Sequence, residues 1–141
     1  MPVRTAEATW EGTLTEGAGT VALGSGAFEG SYSFGSRFED ATGTNSEELI
    51  GAGEAGCFAM ATALDLEEEG FEPQRVHATA DVHIEEVDGD FTITQIELTA
   101  EGDVPDATEE EFVAVAENAK QNCPVSKALS GPDIDLTATL A

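Results

Sequence analysis

The sequence predicts an α+β protein with antiparallel sheets around one long central helix, and three observations carry that prediction. Apolar residues alternate with polar ones at period two over 76–84 and again over 134–140, the mark of half-buried strands. Residues 49–66 are apolar or small almost throughout, interrupted mainly by Glu54, Thr62 and Asp65. The element order shows no parallel-sheet repeat and no glycine fingerprint for a nucleotide.

Taken in order, residues 3–15 alternate weakly, through Val3, Thr5, Trp10 and Leu14, and 16–19 form a turn. Residues 21–23 and 28–34 continue as short strands separated by Gly24, Ser25 and Gly26, so the first part reads as an antiparallel meander. Residues 36–40 lead through Gly43 into the central helix. Its start carries a capping-box pattern, Asn45 with Glu48 or Thr44 with Glu47, and Gly70 supplies its stop. A helix with so little polar surface is expected to be buried on most sides, and its Gly and Ala residues let another backbone come close.

Val76, Ala78, Ala80, Val82 and Ile84 form the apolar face of a strand that turns at Asp88 and Gly89. Phe91 and Ile93 begin the return, and the alternation slips at Gln95 and Ile96, where a bulge is expected. Thr108 with Glu111 starts a second helix through Phe112 and Ala119. Asn122, Cys123 and Pro124 break it, and Pro124 can open a short third helix through Leu129. Ile134, Leu136, Ala138 and Leu140 alternate as a closing strand.

At 141 residues the chain reads as one domain, 1–141, long enough for a core. Its formal net charge of −24 repels nucleic acid and anionic membranes, so neither is an expected partner. Such a surface also repels itself in dilute buffer. At about 1 M salt the Debye length is only about 3 Å, which points to a salt-rich, halophilic cytoplasm, with a merely acidic mesophile protein as the alternative. Residues 49–66 are not read as a membrane span, because they are glycine-rich and carry Glu54 and Asp65. The expected location is the cytoplasm, where two cysteines are a reactive pair or buried thiols rather than a permanent staple.

A reactive cysteine needs its thiolate stabilised by a cation or a helix terminus. Cys123 stands before Pro124, at the N-cap of the third helix. Cys57 lies mid-helix and needs a cation from elsewhere; Arg37 is the best placed of five, with Lys120 and Lys127 next. A small buried hydrophobe remains the alternative for either cysteine. His77 and His83 share a strand's polar face with Asp81 and Glu85, and positions six apart span about 20 Å, so an exposed face is expected rather than a metal site.

The segment from Thr44 to Ala52, followed by Ala55-Gly56-Cys57-Phe58 and, far downstream, Asn122-Cys123-Pro124-Val125-Ser126, resembles the OsmC/Ohr family of thiol-dependent hydroperoxide reductases. Ser36-Arg37-Phe38-Glu39 and the closing strand fit its OsmC branch. The resemblance implies an intertwined homodimer and a two-cysteine peroxidase without metal, haem or flavin. Cys57 would attack an organic hydroperoxide, and Cys123 would resolve the sulfenic acid to a disulfide. An external dithiol, such as a lipoyl-type reductant, would restore both thiols. Arg37 matches the family arginine that stabilises thiolate and oxyanion, and Glu47 the glutamate that orients it. Phe38 and Phe58, beside Arg37 and Cys57, are the residues expected to line a pocket for the peroxide's alkyl tail. Glu54 departs from the family pattern; a carboxylate facing the thiol would raise its pKa, so it should point away or find its own partner. The rival reading keeps the fold as a non-enzymatic homodimer that binds a small apolar ligand.

Helix arithmetic adds one expectation. Ten residues separate Glu47 from Cys57, about 15 Å along the axis and roughly 80° in azimuth. For both to serve one site, a second antiparallel copy of the helix must bring its Glu47 region to Cys57, or Arg37 must bridge the gap.

Overall fold

Sheet-forming and helix-forming segments sort into two units in the computed structural model, which describes residues 1–141: Met1–Leu49 and Ile50–Ala141.

In the first unit, β1 (Ala6–Glu11), β2 (Ala18–Leu23) and β3 (Glu29–Tyr32) form the expected antiparallel meander in that order. Trp10 and Tyr32 meet across Gly19 with ring centroids 5.3 Å apart. A Cβ on Gly19 would sit 2.5 Å from the Tyr32 ring, so only glycine fits between them. The third strand is shorter than the expected 28–34. It stops at Tyr32 because Ser33 and Ser36 form a reciprocal capping box, which starts a short helix, α1 (Phe34–Phe38), where a loop was expected.

The central helix, α2 (Ser46–Glu68), begins where its cap residues require. Of the two capping patterns the structure uses Asn45, whose Oδ1 accepts from the Glu48 N–H at 2.7 Å. Thr44 Oγ1 instead donates to the Glu48 carboxylate at 2.8 Å. At the far end Gly70 adopts φ +91°, and the Phe71 N–H donates back to the Leu66 carbonyl.

In the second unit, β4 (Arg75–Val87) and β5 (Asp90–Asp103) form a long hairpin through Asp88 and Gly89, both at positive φ. The register slips where His83 pairs with Gln95 and Ile84 with Ile93, so Thr94 is the extra residue, one position before the expected bulge. The helices α3 (Glu109–Asn122) and α4 (Pro124–Ala128) then lead to β6 (Asp133–Leu140). This last strand runs parallel to β5, which corrects the expectation of wholly antiparallel sheets. The helical crossover returns the chain in its original direction, and a parallel neighbour requires such a connection. Alternation alone carries no direction.

The core belongs to this unit: Phe58 and Leu66 from α2, Leu98, Ala100 and Val104 from β5 and its exit, and Phe112, Ala116 and Ala119 from α3. Burying each of the larger side chains contributes about 1.5–3 kcal/mol. Gly51, Glu54, Phe58, Thr62 and Leu66 form the buried stripe of α2, spaced at helical period. Its other face is bare within one chain: Gly53 and Gly56 are exposed, Met60 is 76% exposed and Leu64 54%. Within residues 50–141 the helix is therefore covered along one stripe, and not on most sides as its composition had led one to expect. By length and composition α2 could cross a membrane, yet its buried stripe is seated in a protein core.

Candidate functional site

Two clusters of the expected residues form, each within its own unit. In the first, α1 presents Arg37 and the opening turn of α2 presents Glu47. The Arg37 Nε donates to both Glu47 oxygens, at 2.9 and 3.2 Å. Glu47 is buried, whereas Arg37 is about one-third exposed, with its guanidinium 5.2 Å from the Phe38 ring centre. Phe38 in turn packs on Phe34. Because the ion pair uses Nε, the terminal amino groups of the arginine remain available for a second acceptor. A buried carboxylate with an arginine partner fixes that arginine's direction.

In the second unit Cys57 stands one turn beyond Glu54 on α2, half-buried, and Cys123 caps the start of α4, buried. Far apart in sequence, the two cysteines lie 3.0 Å apart as free thiols. Pro124 and the end of α3 aim Cys123: its N–H closes α3 on the Ala119 carbonyl while its sulfur accepts from the Ser126 N–H at 3.4 Å. Burial pushes the Cys57 thiol above its ordinary pKa, and its hydrogen bond with Cys123 acts the same way. The Val125 N–H opposes these, while negative charge at Cys123 and Glu54 adds to the rise. Within residues 50–141 the Val125 N–H is the one group among these causes that favours the thiolate, and the net effect is a raised pKa. Lys120, one of the runner-up cations, pairs with Glu117 on its own helix.

Glu54 has found its own partner, as its position demanded. It is fully buried, and its Oε1 accepts from the Ser126 hydroxyl at 2.5 Å. Ser126 has no role legible in the motif after Cys123 except its place three residues after that cap residue, where a side chain folds back toward the cap. Phe58 is wholly inside the hydrophobic core, underneath the helix. A surface cleft of about 710 Å³ is lined by residues of the first sheet and its β1–β2 turn, including Thr9, Glu11, Gly19 and Ser31, and by neither Phe38 nor Phe58. His83 Nε2 lies 2.6 Å from Glu97, and no cluster of three or more His, Cys, Asp or Glu side chains could hold a metal ion.

The profile of OsmC-like proteins covers residues 39–137. The chain belongs to the OsmC-like family. Among its relatives, peroxiredoxin OsmC of Escherichia coli (strain K12) is 46% identical over 124 residues, 87% of each chain. The organic hydroperoxide resistance protein of Xanthomonas axonopodis pv. citri (strain 306) is 37% identical over 100 residues, covering 70% of this chain and 68% of its own. The crystal structure of an organic hydroperoxide resistance protein from Elizabethkingia anophelis superposes with a TM-score of 0.75 at 29% identity, over 99% of both chains. That of OhrB from Bacillus subtilis gives 0.73 at 26% identity, over 97% of this chain and 98% of the other. The OsmC-like fold thus accounts for both sheets and for the long helix between them in sequence.

Proposed function

We propose that this OsmC-like chain is a thiol-dependent peroxidase that reduces organic hydroperoxides to alcohols, as one functional domain spanning 1–141. The observation that carries the reading is the 3.0 Å approach of Cys57 and Cys123, which brings two thiols remote in sequence within reach of each other. The names borne by its relatives, peroxiredoxin and organic hydroperoxide resistance protein, support the same chemistry.

The Cys57 thiolate attacks the terminal peroxide oxygen; the O–O bond breaks, an alkoxide leaves and takes up a proton, and the sulfur becomes a sulfenic acid. Cys123 then condenses with it, forming the disulfide and releasing water. An external dithiol of lipoyl type reduces the pair again in the cytoplasm. Since the surroundings of Cys57 in its own unit raise its pKa, the reaction needs a cation, and Arg37 held by Glu47 is the residue we assign to thiolate and oxyanion stabilisation. Phe38, against that arginine, is assigned to the wall of the alkyl pocket; Phe58, closed inside the core, backs the nucleophile's helix.

The same reading includes a homodimer. Support comes from the bare stripe of α2, Gly53, Gly56, Met60 and Leu64, which is smooth enough for close helix approach and too apolar to favour water. Two such helices packed antiparallel would bring the Glu47 end of one copy toward Cys57 of the other.

Anaerobic thiol titration before and after one equivalent of cumene hydroperoxide tests the reading. The peroxidase loses two thiols per chain to one internal disulfide. Cys57→Ser abolishes turnover, and Cys123→Ser leaves a sulfenic acid that dimedone traps. Retention of both thiols by the parent protein would favour a ligand-binding homodimer instead.

A further inference from the structure

Of the carboxylates in the chain only Glu47 and Glu54 are buried. Glu47 has Arg37, whereas no cation pairs with Glu54, and one of its oxygens, Oε2, has no hydrogen-bond partner despite complete burial. Leaving a buried carboxyl half-satisfied is costly, and an apolar side chain would serve packing better. The placement therefore asks for a chemical reason.

Its single partner supplies one. Ser126, itself 5% exposed, lies with its Oγ 2.5 Å from Glu54 Oε1 and 3.4 Å from Cys123 Sγ. A serine hydroxyl has one proton and two lone pairs. With the proton on the short side toward Glu54, a lone pair faces the Cys123 sulfur. The result is an unbroken path, Cys123 Sγ to Ser126 Oγ to Glu54 Oε1, closed off from solvent.

We infer that Glu54, acting through Ser126, takes the proton of the resolving thiol Cys123 as the disulfide forms. The inference rests on the two-cysteine reading above and concerns its second step. Cys123 sulfur attacks the Cys57 sulfenic sulfur; the S–S bond forms, and the Cys57 S–O bond breaks with its electron pair going to oxygen. Cys123 is oxidised and the sulfenic sulfur of Cys57 is reduced by equal amounts. The Cys123 proton passes to Ser126 Oγ while the Ser126 proton passes to Glu54 Oε1. Glu54, one turn before Cys57, returns a proton to the departing hydroxide, which leaves as water. Thiol plus sulfenic acid becomes disulfide plus water with no outside oxidant. Ser126 touches the reacting sulfur; Glu54 takes up the proton through Ser126 and gives one to the leaving oxygen. The arrangement also explains why a carboxylate is tolerated beside Cys57, since what hinders the first step assists the second.

The test is a rapid-mixing single turnover with cumene hydroperoxide, quenched in dimedone and read by mass, on the parent, Glu54→Gln, Ser126→Ala and Ser126→Thr. Peroxide consumption should stay within about twofold of the parent in the two Ser126 variants and should not slow in Glu54→Gln, while disulfide formation slows on the order of a hundredfold in the Gln and Ala variants. The Cys57 dimedone adduct should accumulate in those two, and the threonine hydroxyl should restore the parent pattern. A packing role alone would slow both steps together, and that outcome, like disulfide formation at the parent rate, overturns the relay. Should Glu54→Gln lose the parent's circular dichroism, the solvent deuterium effect on disulfide formation in the parent decides: clearly above one supports the relay, and unity overturns it. A parent that never oxidises Cys57 sinks the peroxidase reading itself, a result distinct from every outcome above.

Discussion

Residues 1–49 and 50–141 bury opposite kinds of side chain. In the first unit the buried side chains are Ser36, Thr44 and Glu47, all polar, while Val3, Leu14, Leu23 and Phe28 stand exposed. Every buried hydrophobic side chain of the chain, from Phe58 and Leu66 to Phe112 and Cys123, lies in the second unit. One unit holds itself together by hydrogen bonds and an ion pair, the other by a dry interior. A three-stranded meander without a hydrophobic interior is marginal in water. The difference teaches that the thiol pair sits on a scaffold with its own dry interior, whereas the Arg37–Glu47 pair sits on one without such an interior.

The sharpest way to break that contrast is to empty the interior. Phe112→Ala should destabilise the protein by about 3–5 kcal/mol in urea titration, because the ring is fully buried and packs directly on Gly102. Phe28→Ala, more than one-third exposed, should cost less than about 1.5 kcal/mol; equal losses would mean the two units do not differ as described. Next in size, Met60→Glu with Leu64→Glu should weaken self-association by about thirtyfold or more, measured by sedimentation at high salt. Trp10, the single tryptophan and a reporter of the first unit, should then lose its ordered fluorescence at lower urea than the helical signal does. Arg37→Lys should lower peroxidase kcat/KM by about tenfold to a hundredfold, since an ammonium cannot reproduce the Nε contact with both Glu47 oxygens. Thermal stability should change little.

The smallest effects test the ordinary helix chemistry of the second unit. Thr108→Ala should cost about 1 kcal/mol by removing the cap on α3. In the same box, hydrogen bonds from the Thr108 backbone and side chain hold the Glu111 carboxyl below its usual value. A carboxyl with a folded pKa below its unfolded one stabilises fully above the unfolded value and loses that contribution as pH falls through the folded one. The melting temperature of Glu111→Gln should therefore approach that of the parent on acidification below the ordinary carboxylate range and differ most near neutrality.

How legible each feature was depends on how local its cause is. The ends of α2, the box at Thr108 and Glu111, the hairpin at Asp88-Gly89 and the N-cap placement of Cys123 are set by neighbours within a few residues. The short helix α1 is equally local, and its Ser33–Ser36 box went unread because aromatic residues on both sides imitate a strand. The parallel pairing of β6 was illegible, since a strand's alternation is the same in both directions. For the site, the cysteines and Arg37 with Glu47 were named from sequence; the Glu54–Ser126 contact joins α2 to α4 and has no local signature.

By itself the amino-acid order determined which segments become helix and strand, which residue types could do thiol chemistry, and that the surface would be strongly acidic. Those are consequences of backbone propensity, periodicity and charge, each readable over a few positions. Only the tertiary structure decided that Cys57 meets Cys123, that Glu54 closes on Ser126, and that one face of α2 packs a core while the other stays bare. Such contacts depend on how elements distant in the chain are brought together, and hydrophobic burial, which drives that step, has no direction of its own to read.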